Sequence, residues 1–374
     1  TQDATKKDKV EEKDTPYVDI VKKLEKIENA VNKFYLEPVD QGAFADGIYK
    51  GFVSSLEDPY STYYTEEELN TLMESSSGVY HGIGALVSQD VKTGIITIYK
   101  PFASSPAEKA GILPGDIIYK IEGDEMTGVD LSEAVSLMKG PAGTKVNVTI
   151  VREGESDPLE FTITRRKISV PTIEAKMLKD NIGYITISEF DEITIKQFSK
   201  AVTELEKAGM KGLIIDVRNN PGGLLYSVVE MLDRLLPKGL IVYTEDKNGV
   251  RVEENADDSD EIKVPVAVLI NGNSASASEI FAGALQDYEK ATIVGTTSFG
   301  KGIVQKVFGL EDGTAVKLTI SKYFTPKGRN IHGTGIIPDV EVELDEELKK
   351  MITIPIEEDN QLQEAIKVVK DKIK

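Results

Sequence analysis

Three serines lie at the point where a buried strand is expected to pass into a helix, and they are the first candidates for chemistry. The apolar run Val264–Ile270 is followed by small and polar residues, and a helix is expected from Ser276 onward. Free N–H groups and the positive end of the helix dipole stabilise negative charge that develops on a carbonyl oxygen at such a junction. Ser274, Ser276 and Ser278 therefore compete as nucleophiles, although serines at a helix start usually serve as caps.

Two further segments contain residue types suited to the same chemistry. Residues 216–223, Asp-Val-Arg-Asn-Asn-Pro-Gly-Gly, form a second strand-to-helix junction, whose glycines can aim a backbone N–H at a ligand oxygen. Residues 295–305 contain Lys301 between two glycines, and Gln305 follows four positions later. That spacing places both side chains on one face of either a strand or a helix. A lysine between glycines is usually a surface residue, but the apolar residues that follow are compatible with a partly desolvated amine.

Composition excludes several classes of mechanism. The 374 residues contain no cysteine, which removes disulfides, thiol nucleophiles, iron–sulfur clusters and cysteine zinc sites, and they contain only two histidines, His81 and His332. Lys and Arg number 44 against 63 Asp and Glu, and the net charge of −19 argues against nucleic acid as a partner. No metal and no organic cofactor is expected. The length predicts about two or three domains.

The elements that must position these residues begin with a helical segment. Residues 1–15 are polar and mixed in charge, and they are expected to form a flexible leader. Over residues 16–75 apolar residues recur at helical spacing, and Thr65 followed by Glu68 predicts a capping box at the start of a third helix. Because short amphipathic helices bury little surface alone, the segment is either a small bundle docked on the main body or a dimerisation arm.

Residues 76–167 are rich in predicted strands. They include a Gly82-Ile83-Gly84 loop, an Ala-Gly-Ile-Leu-Pro-Gly-Asp turn and a helix around Val135, and with these features the segment resembles a PDZ domain. Closely spaced glycines let backbone N–H groups converge on a terminal carboxylate, and a neighbouring strand can pair with the bound peptide. The resemblance implies that this loop captures a peptide C-terminus and that its isoleucine and Val135 line an apolar pocket. The alternative is that the two glycines only serve a tight turn.

The rest of the chain is expected to form an α/β or α+β core and a short tail. Over residues 168–345 predicted strands alternate with predicted helices. Residues 245–262 interrupt this pattern with eight acidic and two basic residues, and they are expected to form a solvated loop or hairpin. Residues 346–374 form the tail, with an amphipathic helix predicted over 358–372.

Taken together, the three candidate segments resemble those of the carboxyl-terminal processing, or tail-specific, serine proteases. The matching motifs are Arg-Asn-Asn-Pro-Gly-Gly at 218–223, Ser-Ala-Ser-Ala-Ser-Glu at 274–279 and Phe-Gly-Lys-Gly-Ile-Val-Gln at 299–305. The resemblance covers about residues 40–345 and includes the order of the domains. It implies an α+β multidomain fold: an N-terminal helical arm, a PDZ-like β-rich domain and a protease core with a crotonase-like ββα superhelix.

For the site, the resemblance implies a Ser–Lys mechanism. It makes Ser276 the nucleophile, Lys301 the general base and Gln305 the orienting amide, and it places the oxyanion hole at the N–H groups of Gly222 and Ala277. A serine hydroxyl needs a base, and a free lysine, with a pKa of about 10.4, is protonated at neutral pH. Because burial lowers that pKa, Lys301 needs a dry pocket without a carboxylate partner. The Gln305 amide can accept a hydrogen bond without adding negative charge.

The function implied by the resemblance is that of an endopeptidase for proteins with apolar C-terminal tails. Because the PDZ-like segment lies between the helical segment and the core, peptide binding there is also expected to gate access to the site. Three alternatives stay open: a catalytically silent PDZ scaffold on a protease fold, a crotonase-like enzyme acting on acyl thioesters, and a Ser–His–Asp hydrolase that uses His332. The intact Ser276, Lys301 and Gln305 argue against the scaffold, and the thioester enzyme leaves the PDZ domain unexplained. His81 is expected to bond locally or to touch peptide.

Location and assembly are also expectations from the resemblance. The longest apolar run, Val264–Ile270, is far shorter than the ~18 residues of a membrane helix. The chain begins with Thr rather than Met, which favours removal of an upstream segment, either a signal, a membrane anchor or a merely trimmed stretch. The family's usual location predicts an extracytoplasmic protein, either secreted, periplasmic or held at the cell envelope. The N-terminal helices predict a homodimer.

Overall fold

The computed structural model describes residues 17–257, 261–351 and 354–373. The chain forms two compact units, the first ending at Tyr63 and the second beginning at Tyr64. The predicted leader, residues 1–15, and residues 258–260 of the predicted acidic segment lie outside the described residues.

The described part of the first unit contains the helices α1 (Tyr17–Phe34) and α2 (Gly42–Ser54), and strand β1 (Thr62–Tyr64) includes the last residues of this unit and the first of the second. The predicted apolar stripe of α1 is present, yet α1 has no buried residue: the side chains of Ile20, Ile27 and Phe34 are 50%, 53% and 75% exposed. An amphipathic helix is stabilised mainly by burial of its apolar face. The predicted dimerisation through these helices stays a prediction.

The second unit opens with α3 (Glu66–Ser77), and the predicted capping box is confirmed. Thr65 Oγ1 accepts the Glu68 N–H at 3.2 Å, and the Glu68 carboxylate accepts the Thr65 N–H at 2.9 Å. A β-rich segment follows, with strand order β3-β4-β5-β7-β8 in one sheet, β6 paired with β5, and a separate β2–β9 pair. Its elements are β2 (Val79–Gly82), β3 (Ala85–Gln89), β4 (Ile96–Pro101), α4 (Pro106–Ala110), β5 (Ile117–Ile121), β6 (Asp124–Glu125), α5 (Leu131–Met138), β7 (Lys145–Val151), β8 (Leu159–Thr164) and β9 (Arg166–Ser169).

The core contains a six-stranded sheet in the order β10-β11-β12-β15-β16-β19, in which only β10 runs antiparallel to its neighbour. Helices α6, α7 and α8 contribute to the hydrophobic cluster on one face, and α9 packs on the other. β12 and β15 are buried along their whole length, as expected for parallel strands covered on both faces. The bounds are β10 (Ile173–Met177), β11 (Ile182–Ile187), α6 (Glu192–Lys207), β12 (Gly212–Asp216), α7 (Leu225–Asp233), β15 (Val266–Ile270), α8 (Ala277–Asp287), β16 (Ala291–Gly295), β19 (Val340–Glu341) and α9 (Asn360–Lys372).

A second, antiparallel sheet of the core has the order β17-β18-β13-β14. Its strands are β13 (Gly239–Asp246), β14 (Arg251–Ala256), β17 (Ile303–Gly309) and β18 (Ala315–Phe324). The described part of the acidic segment 245–262 is therefore largely a β-hairpin, one of its two predicted forms. The mixed helical, PDZ-like and α/β architecture agrees with the predicted fold class.

Four adjacent parallel strands end at one edge of the six-stranded sheet. They are β11, β12, β15 and β16, and their last residues are Ile187, Asp216, Ile270 and Gly295. Ligand sites in such sheets form outside the carboxyl ends of the strands. This strand order brings together the three sequence segments selected for their chemistry, and it adds a fourth segment that follows β11.

Candidate active site

Ser276 is the N-cap residue of α8 and has a backbone conformation that non-glycine residues rarely adopt, with φ 55° and ψ −112°. Its N–H donates to Glu279 Oε2 at 2.9 Å, and its carbonyl accepts the Tyr323 hydroxyl at 3.1 Å. Burial and the nearby Glu279 charge raise the pKa of Tyr323, which keeps its hydroxyl a donor. The turn is thus held by side chains of two elements, and Ser276 lines an open cleft.

The other two candidate serines have structural roles. Ser274 is fully buried, and its hydroxyl donates to the Val217 carbonyl at 2.8 Å. Ser278 is also fully buried, and its hydroxyl donates to the Asn220 carbonyl at 2.9 Å. Both serines fasten the α8 junction to the loop after β12. Of the three serines, Ser276 is the one that lines the cleft.

Gly222 lies directly against the Ser276 turn. A Cβ at Gly222, whose φ is 112°, would stand 2.9 Å from Ser276 Cβ and 3.0 Å from the Ala277 nitrogen. The two predicted oxyanion donors are therefore neighbours in space. In this conformation the Gly222 N–H donates to Asn220 Oδ1 at 2.8 Å, whereas the Ala277 N–H is the first of α8 and has no intrahelical acceptor.

Glu279 joins the Ser276 turn to the segment that contains Lys301. Its carboxylate is fully buried and accepts four hydrogen bonds, from Ser276 N–H at 2.9 Å, Ser298 Oγ at 2.5 Å, Gly300 N–H at 2.7 Å and Lys301 N–H at 2.8 Å. Sequence reasoning did not select this residue. The signal was present, because Ser276 and Glu279 have the same spacing as the capping box at Thr65.

Lys301 and Gln305 have different surroundings. Gln305 lies on β17 and lines the cleft with Ser276, and its amide Nε2 donates to Thr319 Oγ1 at 3.3 Å. Lys301 lies in the loop before β17, is half-buried and is not among the residues that line the cleft. Its main chain is fixed to the same carboxylate as Ser276, so the structure brings the two segments together through Glu279.

The two histidines lie away from the cleft lining. His332 is exposed, and its Nδ1 accepts the Gly302 N–H at 3.4 Å. His81 lies on β2 opposite Lys167, with its side chain exposed. The arrangement gives no support to a Ser–His–Asp site at His332.

The cleft beside Ser276 encloses about 400 Å³ and is open on one side. Glu189, Asp191 and Lys317 are its charged residues. Its apolar walls come from α3, the loop after β12, the start of α7, α8 and β17. The apolar lining residues are Leu72, Leu224, Leu225, Ile280, Ile303, Val304 and Val307. Such walls suit the apolar side chains of an extended peptide.

Asp191→Asn is expected to remove a pH-dependent loss of stability. Burial and the neighbouring Glu189 charge raise the pKa of Asp191 from 3.8 to about 7. The folded state therefore binds more protons than the unfolded state across that window, and the unfolding free energy falls as pH rises towards 7. We expect the variant to exceed the wild type by roughly 1–2 kcal/mol at pH 8, less than the full shift because the cleft is open to solvent.

The difference between the Asp191→Asn variant and the wild type should shrink towards pH 5, as measured by urea unfolding. Asn is as good an N-cap for α6 as Asp, so helix capping is preserved. Glu192→Gln, an exposed change in the next residue, serves as control. A stability gain that is equal at pH 5 and pH 8 would contradict the prediction.

Arg218, at the start of the Arg-Asn-Asn-Pro-Gly-Gly motif, is held between two buried carboxylates. Its Nη2 contacts Asp216 Oδ2 at 2.6 Å and Asp359 Oδ2 at 2.7 Å. Burial opposes its charge, but the two carboxylates outweigh burial and raise the pKa of Arg218. Asp359 also caps α9 by accepting the Leu362 N–H at 3.0 Å. The loop that contains Gly222 is thereby tied to the C-terminal helix.

The predicted peptide-binding residues of the PDZ-like segment cluster together. Ile83 is buried at 4% exposure, and Val135 is half-buried against the same hydrophobic cluster. Gly82 ends β2, and Gly84 has a φ of 80°, where a Cβ would meet the Ser105 Cβ at 2.6 Å. Close packing against Ser105 accounts for a glycine at position 84 whether or not a peptide binds there.

The described ranges contain no candidate metal site and no candidate membrane-spanning helix. No group of three or more His, Asp or Glu side chains there is arranged to hold a metal ion. No described helix is both long and apolar enough to cross a bilayer.

Comparison with known families identifies three segments of the chain. Residues 181–342 match peptidase family S41, residues 101–152 match a PDZ domain, and residues 1–68 match the activating protease CtpB N-terminal domain. The carboxy-terminal processing protease CtpA of Bacillus subtilis (strain 168) is 41% identical to this chain. The alignment covers 86% of this chain and 69% of that relative. For the carboxy-terminal processing protease CtpB of the same organism the identity is 40%, over 86% of this chain and 67% of the relative.

A solved structure agrees with these matches. The photosystem II D1 C-terminal processing protease is similar, with a TM-score of 0.51 and 30% identity over 86% of each chain. The relatives, the PDZ domain and the S41 core bear out the resemblance drawn from the three motifs. The chain therefore belongs to the carboxy-terminal processing proteases of peptidase family S41, and it is a serine peptidase that carries a PDZ domain.

Proposed function

We propose that this chain is an endopeptidase for proteins with apolar C-terminal tails and that it works by a Ser–Lys mechanism without a metal or an organic cofactor. The observation that carries the proposal is Ser276. It lines the cleft from a strained N-cap position, with Gly222 and the Ala277 N–H packed beside it. The proposed nucleophile therefore lies next to a helix N-terminus that can stabilise an anion, and both line an apolar cleft.

In the proposed acylation step, Ser276 Oγ attacks the scissile carbonyl carbon and its proton passes to neutral Lys301 Nζ. The resulting oxyanion accepts hydrogen bonds from the N–H groups of Ala277 and Gly222, and the latter must share or leave its bond to Asn220 Oδ1. The C–N bond then breaks, Lys301 returns its proton to the leaving amine, and an acyl-enzyme remains. A water activated by Lys301 hydrolyses the ester and frees Ser276.

The PDZ domain would select the substrate. In this proposal Gly82, Ile83 and Gly84 hold the free carboxylate of the tail, and Val135 contacts its apolar side chains. Binding of the tail would gate access to Ser276. The N-terminal helices would form the homodimer, and the protein would act outside the cytoplasm, held there by an anchor or exported.

Gln305→Glu is expected to move the pH profile of activity upward. A carboxylate at position 305 favours the ammonium form of Lys301, which raises the pKa of the base, and the rate then requires a higher pH by about one unit or more. The measurement is kcat/KM against pH with a peptide substrate. Gln363→Glu makes the same change at an exposed position of α9 and should leave the profile where it is. An unshifted profile for Gln305→Glu would contradict the assigned role.

The function itself is tested with an unfolded protein that ends in an apolar tail. Wild type should cleave it, whereas Ser276→Ala and Lys301→Ala should not, and His332→Ala should retain activity. A second substrate with a charged tail should be cleaved more slowly. Cleavage by Ser276→Ala would refute the assigned nucleophile, and tail binding without cleavage by the wild type would favour the silent scaffold.

The proposed gating is tested by deletion of the PDZ domain, residues 76–167. Gating would be wrong if the deletion left tail-dependent cleavage intact.

A further inference from the structure

We propose that Glu189 and Asp191 form an acidic subsite of the cleft, which receives the ammonium or guanidinium of a lysine or arginine side chain close to the scissile bond. The inference rests on the proposed peptidase function and adds a substrate preference to it. The acidic subsite would bind substrate residues around the cleaved bond, whereas the PDZ domain would bind the apolar tail of the substrate.

The position of the two carboxylates follows from the backbone between them. Phe190 N–H donates to the Gly222 carbonyl at 2.9 Å, and the Leu224 N–H donates to the Phe190 carbonyl at 2.7 Å. The segment after β11 is therefore paired with the glycine loop that lies against Ser276. In extended backbone successive side chains alternate in direction. Phe190 is buried against Phe281, and Glu189 and Asp191 on either side of it line the cleft.

The Asp191 carboxylate is buried without a cation beside it. Its side chain is only 6% exposed, and neither it nor Glu189 forms an ion pair with any residue in the described part of the chain. Burial and the charge of Glu189 raise the pKa of Asp191 to about 7, as expected for a carboxylate that lacks a cation. Asp191 caps the start of α6, but no cation neutralises its charge there. A buried carboxylate without a cation is costly, so a positively charged ligand would gain binding energy at this place that a neutral ligand would not.

The other charge of the cleft is already engaged. Lys317 Nζ donates to the Tyr64 hydroxyl at 2.7 Å and lies 5.2 Å from the centre of that ring. Asp191 faces the end of α3 instead, since a Cβ at Gly78 would lie 3.3 Å from Asp191 Oδ2. The carboxylate pair thus meets α3 and the glycine loop, with Ser75 and Ser76 as the polar lining on the α3 side.

The substrate class follows from the shape of this pair. Two carboxylates, one exposed at the rim and one buried, match a long side chain whose alkyl stem crosses apolar wall and whose cationic end reaches the acid. Lysine and arginine have that form, and charge-assisted hydrogen bonds to carboxylates are the strong ones. An acidic side chain would be repelled, and an apolar one would leave the pair uncompensated.

The test uses matched peptides that share one apolar tail and differ at a single position, Lys against Gln, scanned across the four residues on each side of the cleaved bond. For the wild type we expect kcat/KM to favour Lys at least tenfold at one position. The double variant Glu189→Gln, Asp191→Asn should reduce that ratio below about threefold. Glu192→Gln removes one charge from the exposed neighbouring residue and should keep the ratio of the wild type.

Two outcomes separate this proposal from the peptidase function. Equal cleavage of both peptides at every position by the wild type would overturn the subsite and leave the peptidase intact. If the wild type cleaved neither peptide, the proposed function would fail. The subsite would then be judged by the affinity of Ser276→Ala for the same peptides: a Lys preference lost on Glu189→Gln, Asp191→Asn would uphold it, and equal affinities would overturn it.

Discussion

Glu279→Gln is expected to lower kcat at least about 100-fold with little change in KM. The Glu279 carboxylate holds the Ser276 N–H through Oε2 and the Gly300 N–H through Oε1. It also accepts the Ser298 hydroxyl and the Lys301 N–H. An amide of the same shape turns one acceptor into a donor that faces N–H groups. The pair of bonds at one oxygen is then disturbed, either those from Ser298 and Gly300 at Oε1 or those from Ser276 and Lys301 at Oε2. In both cases the carboxylate that holds the Ser276 turn and the Lys301 segment together is weakened.

The same substitution should also destabilise the fold. Each buried donor left without an acceptor costs about 1–3 kcal/mol, so a loss of roughly 2–4 kcal/mol of unfolding free energy is expected. Urea unfolding measures that loss, and the rate of Ser276 modification by a phosphonate probe reports the nucleophile directly at a temperature where the variant is folded. Glu289→Gln, an exposed change just after the end of α8, should alter neither. A folded Glu279→Gln enzyme with kcat within fivefold of wild type would refute the positioning role.

Gly222→Ala is expected to lower kcat about 100- to 1000-fold, which is the effect of losing one oxyanion donor. The added Cβ would lie 2.8 Å from the Ala275 carbonyl oxygen and 2.9 Å from Ser276 Cβ. The loop cannot easily retreat, because its carbonyl accepts the Phe190 N–H at 2.9 Å. Alanine also disfavours a φ of 112°. The Ser276 turn and the Gly222 N–H must therefore separate.

The control for Gly222→Ala is Gly209→Ala, which separates the effect of the steric clash from the effect of an alanine at positive φ. Gly209, between α6 and β12, also has a positive φ, of 84°, but a Cβ there meets no atom within 4 Å. Gly209→Ala should cost about 1–2 kcal/mol of stability and leave kcat unchanged. Steady-state kinetics of both variants with one peptide make the comparison. Similar kcat values for the two variants would show that close packing at Gly222 has no catalytic consequence.

Local patterns predicted much of the architecture. Apolar periodicity indicated the helices of the first unit, and the Thr65–Glu68 spacing predicted the start of α3. The apolar run Val264–Ile270 predicted the buried strand β15. These features depend on neighbours within a few residues, which is why the sequence alone is enough to predict them. The conformation of the acidic segment 245–262 was left open between a loop and a hairpin, because charge alone does not distinguish the two. In the structure β13 and β14 form a hairpin there.

The choice among the three serines needed the tertiary structure. All three have the same local context at the start of α8, and any of them fits a cap. Ser274 and Ser278 are turned to carbonyls of the loop after β12, at Val217 and Asn220. Those partners lie 57 and 58 residues away in sequence. Only the pairing of β12 with β15 makes the contacts possible.

The three motifs, the residue types suited to serine–lysine chemistry and the absence of any thiol are properties of the sequence alone. Which side chains share the site depends on the fold: Glu279 contacts both the Ser276 turn and the Lys301 segment, Asp359 pairs with Arg218, and Glu189 and Asp191 line the cleft. These residues meet because of the order of the parallel strands. Four carboxyl ends meet at one edge of the sheet, and long-range strand pairing is set by the packing of the whole core rather than by any local pattern.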